Sequence, residues 1–285
     1  MRHLDDVDLG WLSPVLAYAM ACAGAAVGLR CTVRALGTTG RARRNWLVIA
    51  SSALGTGIWT MHFVAMLGFG GSGTDIRYDV LLTVVSLVVA VAVVCGGVFV
   101  VSRGQGSGRA VLTGGFGTGL GIVCMHYLGM AAVRLHGQVH YEPELVGLSV
   151  LIAVAAATVS LWAAFNVTSP GAVTAASLTM GAAISGMHYT SMLSVRPEAT
   201  PSGQMLPGAT WWQLVFPLVV GLGSCLFLTA AFAALFPAAA ERDAPAAAGD
   251  GRDPLADAHA ERCGRGVSTP AVSRRRSCGQ APCRS

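Results

Sequence analysis

Seven long apolar segments constrain the fold of this chain more than any other feature. A transmembrane helix needs ~20 mostly apolar residues, and the segments of that length are 11–30, 46–68, 79–101, 110–133, 145–166, 172–195 and 212–236. Only 12% of the residues are charged, against ~25% in soluble domains. Lipid offers the backbone no hydrogen-bond partners, so each segment is predicted to be a helix. The sequence therefore predicts an all-α integral membrane protein with seven transmembrane helices, surrounded by the lipid bilayer.

The arginine residues are distributed unevenly between the ends of these helices. Five lie in the connection 30–45, two in 102–109 and eight after residue 237, against four on the other side of the membrane. Cytoplasmic loops carry an excess of Lys and Arg, so we expect the N-terminus outside and the C-terminus inside. The net charge of +5 follows from this distribution, and we expect no nucleic-acid partner.

The composition changes after residue 236. The segment 237–285 is rich in Ala, Arg, Gly, Pro and Asp and has almost no large apolar side chains. Such a composition cannot bury enough apolar surface to fold. We therefore expect a seven-helix membrane domain over 1–236 and a disordered cytoplasmic tail over 237–285. His259, Cys263, Cys278 and Cys283 lie in this tail, and their loose spacing is a poor match to a zinc site.

A six-residue motif, Met-His-aromatic-x-x-Met, occurs in the second, fourth and sixth segments. Its copies are 61–66, 125–130 and 187–192. The histidines, His62, His126 and His188, are 64 and 62 residues apart, so the repeat unit is a pair of helices. Each histidine follows the start of its predicted helix by 16 residues, or ~24 Å at ~1.5 Å per residue. All three are therefore expected at one depth, near the outer membrane face.

Small residues precede each motif in register. Gly55, Gly119 and Gly181 lie six residues before the first Met of their copies. Small residues let transmembrane helices approach closely, so the repeat is predicted to carry a packing face as well as a polar group.

The motif suits a soft metal ion. A His at i and a Met at i+4 lie on one helix face, ~40° apart. Thioether and imidazole together favour copper, especially Cu(I), over magnesium or calcium. The candidate ligands by this spacing are His62, Met66, His126, Met130, His188 and Met192. For each residue alone, packing is an alternative, but three histidines at one depth favour a metal or cofactor site.

The sequence leaves the roles of two further features open. The motif aromatic is a candidate ligand, hydrogen-bond donor or packing group, but Phe63 lacks the hydroxyl of Tyr127 and Tyr189, so the three cannot act identically. His136 and His140 form an i, i+4 pair that we expect to lie in an ordinary exposed loop.

The sequence shows none of the common catalytic motifs. Paired carboxylates, a nucleophile elbow and a phosphate loop are missing from it, so we expect no enzymatic activity.

In these three motifs the chain resembles the MHYT-domain family of bacterial integral membrane sensor proteins, over about residues 11–236. The resemblance implies six or seven spans in the plasma membrane, a proposed copper site, and sensing of oxygen, carbon monoxide or nitric oxide. The ligands that it implies are Met61, His62, Met125, His126, Met187 and His188. Two departures are Phe63 in the first copy and the lack of the output domain that many relatives carry, so we expect a separate signalling output protein.

Together these observations predict a membrane sensor or ligand-binding module with a copper-type site near the outer face. Two alternatives remain open. Two intramembrane histidines could be the axial ligands of a b-type haem in a redox protein. A copper transporter would use a site near the outer face to take up its metal.

Overall fold

The computed structural model describes residues 11–68, 76–134, 137–199 and 207–235. Seven helices are formed by these residues: α1 Leu12–Leu36, α2 Gly40–Met66, α3 Val80–Arg103, α4 Gly108–Ala132, α5 Pro143–Asn166, α6 Pro170–Leu193 and α7 Trp211–Leu235. Six of them are long and apolar enough to cross a membrane. The other, α6, has 24 residues but is less apolar, because it carries Ser177, Ser185, His188 and Ser191, all buried.

Each predicted segment corresponds to a helix, but α1 and α2 extend further than predicted where they meet. Helix α1 continues through Arg34 to Leu36, and α2 already begins at Gly40. Bilayer thickness limits the length of the apolar run, whereas the helix itself can continue beyond the membrane with polar residues. Here the Arg34 guanidinium lies over the Trp46 ring, 5.1 Å from its centroid. We call this end of the bundle the arginine end; its placement in the cytoplasm stays a prediction.

Side-chain caps fix where three of the helices begin. Asp79, Ser107 and Ser169 accept hydrogen bonds from the backbone N–H groups three residues ahead, at 3.1, 3.4 and 3.3 Å. These caps satisfy N–H groups that have no partner inside the helix. Pro143 and Pro170 begin α5 and α6, where the missing proline N–H costs nothing.

The small residues before each motif join the helices into a closed ring. A Cβ added to Gly55 would lie 2.8 Å from the Cα of Val91 in α3, and one added to Gly119 would lie 2.8 Å from the backbone nitrogen of Val154 in α5. A Cβ on Gly181 would collide with Cys22 in α1. Helices α2, α4 and α6 thus pack against α3, α5 and α1, so α1 to α6 close into a ring of three helix pairs. Helix α7 packs on α1 and α2.

Two short antiparallel ribbons lie at the opposite end, which we call the motif end. Strand β1 (Arg77–Tyr78) pairs with β2 (Val133–Arg134), and β3 (Gly137–Tyr141) pairs with β4 (Val195–Ala199). Ion pairs accompany them: Asp79–Arg134 at 2.6 Å and Glu142–Arg196 at 2.8 Å. These strands are not among the elements that the sequence predicts, because segments of two to five residues are too short to show strand periodicity.

Two predictions fall on residues whose placement is not described. The proposed tail, with His259, Cys263, Cys278 and Cys283, lies outside the described residues, and so does His136. The domain boundary at residue 236 therefore stays a prediction. His140 is described; it lies on β3 opposite Arg196 and is exposed.

Candidate metal centre

The three motif histidines meet at the centre of the helix ring. The Nδ1 atom of His62 lies 3.1 Å from Nδ1 of His126 and 3.2 Å from Nδ1 of His188. Among the described residues, these three form the group of His, Cys, Asp or Glu side chains whose ligand atoms all lie within 4.8 Å of one another. We call this group the His triangle. These distances confirm that the three histidines lie at one level of the bundle; their placement near the outer membrane face stays a prediction.

The His triangle is buried and closely packed. Each of the three side chains is 1% exposed. Their rings contact edge to face, with centroids 4.8–5.2 Å apart and interplanar angles of 78–82°. At each Nδ1–Nδ1 contact one nitrogen must donate and the other accept, and His62 takes part in both contacts. The three rings therefore cannot all carry a proton on Nδ1, and a cation at the centre would be an alternative partner.

The two Nδ1–Nδ1 separations from His62 are compatible with a single first-row metal ion. Imidazole nitrogens bind such an ion at about 2.0–2.1 Å, which places three ligands about 3.3–3.6 Å apart in trigonal or tetrahedral geometry. The observed separations of 3.1 and 3.2 Å require only a small expansion. Among the described residues, the Nε2 atoms of His62 and His126 have no hydrogen-bond partner, although metal-binding histidines usually donate from their second nitrogen.

The six motif methionines separate into two groups. Met61, Met125 and Met187, the first of each copy, belong to the main apolar core. Met66, Met130 and Met192, the second of each copy, form a separate cluster with Val133, Val139 and Val195. This Met cluster lies one helical turn beyond the His triangle, toward the motif end. A ligand set of three histidines and six methionines would exceed what one copper ion binds, so the nine residues cannot all be ligands of a single ion.

The motif aromatics pack against their own histidines. Phe63, Tyr127 and Tyr189 lie edge to face with the preceding His, with ring centroids 4.9, 5.2 and 5.1 Å apart. Phe63 is fully buried and its ring lies 4.5 Å from that of Trp59. The Tyr127 hydroxyl instead accepts a hydrogen bond from Ser191 at 3.0 Å. Packing is the role that the three aromatics share, and it needs no hydroxyl.

Gly129 is a site residue that sequence reasoning missed. A Cβ added to it would lie 2.9 Å from Cδ2 and 3.4 Å from Cε1 of His62, and would also collide with its Nε2. The outer edge of the His62 ring therefore rests on the backbone of α4. The sequence does contain an indication of this role, because the residue three positions after each motif His is small in every copy: Ala65, Gly129 and Ser191.

Comparisons with known proteins agree with the repeat. The family model described as the bacterial signalling protein N-terminal repeat, MHYT, matches residues 55–114 and 119–177. These two matches contain the first two motif copies, and the third copy lies beyond them. No solved structure matches this chain.

Three curated relatives share sequence with this chain. It is 38% identical over 162 residues to the bifunctional diguanylate cyclase/cyclic di-GMP phosphodiesterase MucR of Pseudomonas aeruginosa, covering 55% of this chain and 24% of MucR. It is 37% identical over 196 residues to the cyclic di-GMP phosphodiesterase NbdA of the same organism, covering 65% of this chain and 25% of NbdA. For the signaling protein YkoW of Bacillus subtilis, identity is 30% over 215 residues, or 72% and 27% of the two chains. The chain therefore spans about a quarter of the length of these relatives.

Proposed function

This chain belongs to the MHYT family of bacterial membrane signalling proteins, and from this premise we propose that it is a sensor module whose His triangle binds a copper ion. It is a multi-pass bacterial membrane protein. The ligand that we propose for the metal is a diatomic gas: oxygen, carbon monoxide or nitric oxide. We propose no catalytic activity for the membrane domain, because residues 55–114 and 119–177 match a signalling repeat.

The convergence of three buried Nδ1 atoms supports this proposal more than any other observation. Three imidazoles without a carboxylate or thiolate suit zinc, copper, iron or nickel and not magnesium or calcium. The adjacent Met cluster adds thioethers, which favour Cu(I). An ion held by three protein ligands keeps a position for an added ligand, which is the chemistry that a bound copper would supply.

The protein's own residues hold this site in place. Gly129 gives the His62 ring its room, and the Ser191–Tyr127 hydrogen bond links α6 to α4 beside the triangle. The ring of helices then fixes the three backbones. A separate output protein, which we propose as a partner, would bind at the arginine end, the side predicted to face the cytoplasm.

The experiment that tests this proposal is metal analysis of the purified full chain and its variants. His62→Ala, His126→Ala and His188→Ala should each remove most of the copper, and a second substitution should add little, since residues that share one site are non-additive. His140→Ala is the matched control, because His140 is exposed on β3. Copper content that is unchanged in all three triangle variants, with reduced thermal stability, would show that the histidines only pack.

Variants of the second motif methionines provide a second test of the proposed copper site. Met66→Leu, Met130→Leu and Met192→Leu keep volume and apolarity, so they should preserve folding while weakening Cu(I) more than Cu(II). Equal losses for both oxidation states would argue against thioether participation.

The structure bears differently on the two alternative functions. The three imidazole rings contact one another directly, which leaves no space for a porphyrin between two of them and argues against a b-type haem. A copper transporter is supported by the position of the Met cluster between the His triangle and the motif end. Copper uptake by cells with and without the protein separates transport from sensing.

A further inference from the structure

A cavity of about 40 Å³ lies within the ring of helices, on the side of the His triangle that faces the arginine end. Three of its lining residues precede a motif His by four positions: Ile58, Ile122 and Ile184. Three more precede it by eight: Leu54, Thr118 and Met180. Positions i, i−4 and i−8 share a helix face, so these two layers continue the axis on which the histidines meet. We call this space the axial cavity.

Helix α5 closes the axial cavity with small side chains. Ala153, Ala156, Ala157 and Ser160 line it there. Ala153 and Ala157 are buried, whereas Ala156 and Ser160 are half-buried. The wall along α5 therefore contains two small side chains, those of Ala156 and Ser160, that line the cavity and are also partly exposed.

The lining is chemically suited to an apolar occupant. Of the fourteen lining residues only Thr118 and Ser160 are polar, and the Thr118 hydroxyl donates to the Val93 carbonyl at 3.4 Å. Water in a cavity needs two to four polar partners, and apolar cavities stay dry but accept molecules such as xenon. An engineered cavity of about 150 Å³ holds benzene, which has six heavy atoms, so in proportion a cavity about a quarter as large has room for about two heavy atoms.

We propose that the axial cavity binds a diatomic apolar gas and delivers it to the His triangle. The gas enters from the hydrocarbon region past Ala156 and Ser160, because apolar molecules favour that region over water. Between the cavity and the histidines lies only the layer of Ile58, Ile122 and Ile184, one turn or ~5.4 Å deep. The delivery step rests on the proposed function, whereas the gas site itself needs no metal.

Xenon provides a test that is independent of the metal. In the full chain, the ¹²⁹Xe NMR shift should titrate with xenon pressure. Ala157→Leu, which fills the cavity, should abolish this shift, whereas Ile122→Ala, which enlarges it, should strengthen it. Ala155→Leu is the matched control, since Ala155 is exposed on the same helix. Retention of the wild-type shift by Ala157→Leu would overturn the gas site, and so would a lipid or detergent chain that this variant displaces.

The rate of carbon monoxide rebinding tests whether the axial cavity delivers gas to the His triangle. After flash photolysis of the copper-loaded protein, Ala157→Leu should slow rebinding by at least about tenfold, equivalent to ~1.4 kcal/mol, with copper content unchanged. Equal rates in wild type and Ala157→Leu, at equal copper content, would refute delivery and leave the metal site intact. If the wild type holds no metal but binds xenon in the cavity, the proposed function fails and the gas site survives.

Discussion

Gly129→Ala tests whether the backbone of α4 positions the metal-binding ring of His62. An added Cβ would lie 2.9 Å from Cδ2 of His62, whereas carbon atoms in good contact are about 3.5–4.0 Å apart. The ring must therefore retreat by roughly 0.6–1.1 Å. Functional groups need to be held to within about 0.5 Å, so this displacement should disrupt the geometry of the His triangle. Loss of a group that orients a metal ligand costs about 10–100-fold in affinity, and we expect a loss of that size.

The effect on stability should be modest, because two contributions of opposite sign partly cancel. Replacing Gly by Ala inside a helix contributes about 1 kcal/mol, while overpacking a buried site costs about 1–3 kcal/mol. The free energy of unfolding should therefore fall by no more than about 2 kcal/mol. Competition titration with a copper chelator measures the affinity, and thermal unfolding of the same samples measures the stability.

Gly117→Ala is the control for Gly129→Ala. Gly117 lies on the same helix, is exposed, and its added Cβ would meet nothing within 4 Å. The Gly117→Ala variant should therefore bind copper with the same affinity as the wild type. If Gly129→Ala also binds copper with wild-type affinity while His62→Ala does not, then Gly129 does not position the ring and the argument from its contacts is wrong.

Three further predictions concern parts of the chain away from the site. A reporter fused after Phe236 should be cytoplasmic and one in the segment 136–143 external; a cytoplasmic signal from 136–143 would reverse the predicted orientation. Truncation at about Pro237 should leave expression and thermal stability of the membrane domain unchanged, and a clear loss of stability would show that the tail takes part in folding. Burial raises the pKa of Tyr78 to about 12, so the stabilisation that its neutral phenol provides is complete below pH ~10 and is lost as the pH rises from there to about 12. Tyr78→Phe should remove this alkaline loss, and an unchanged pH profile in the variant would assign it to another group.

The helices and the level of the histidines were predictable from the sequence, because both depend on local spacing. Apolar runs of ~20 residues are sufficient to locate a helix in a membrane. The intervals of 64 and 62 residues between motif histidines preserve the distance from the start of each helix. Packing of Gly55 and Gly119 on neighbouring helices also followed from their register.

The convergence of the side chains was not predictable, because it depends on how the helices surround the axis. Spacing placed Met66 and His62 on one face but did not indicate that the second methionines would cluster separately. The pairing of Arg77–Tyr78 with Val133–Arg134 joins residues more than fifty positions apart, and such short strands leave no periodicity in the sequence. The axial cavity could have been found, since Ile58, Ile122 and Ile184 recur four residues before each histidine.

The packing of Gly181 against Cys22 joins two helices, α6 and α1, that are far apart in the chain. Helix α1 is synthesised first and its partner α6 begins 134 residues after α1 ends. At ~5–20 residues per second this delay is roughly 7 to 27 s, during which the face of α1 that will contact α6 has only lipid or the insertion machinery beside it. Completion of the ring therefore depends on this face of α1 remaining free of other contacts until α6 has entered the bilayer. A substitution at Gly181 would affect this closure of the ring, which cannot take place before α6 has been synthesised.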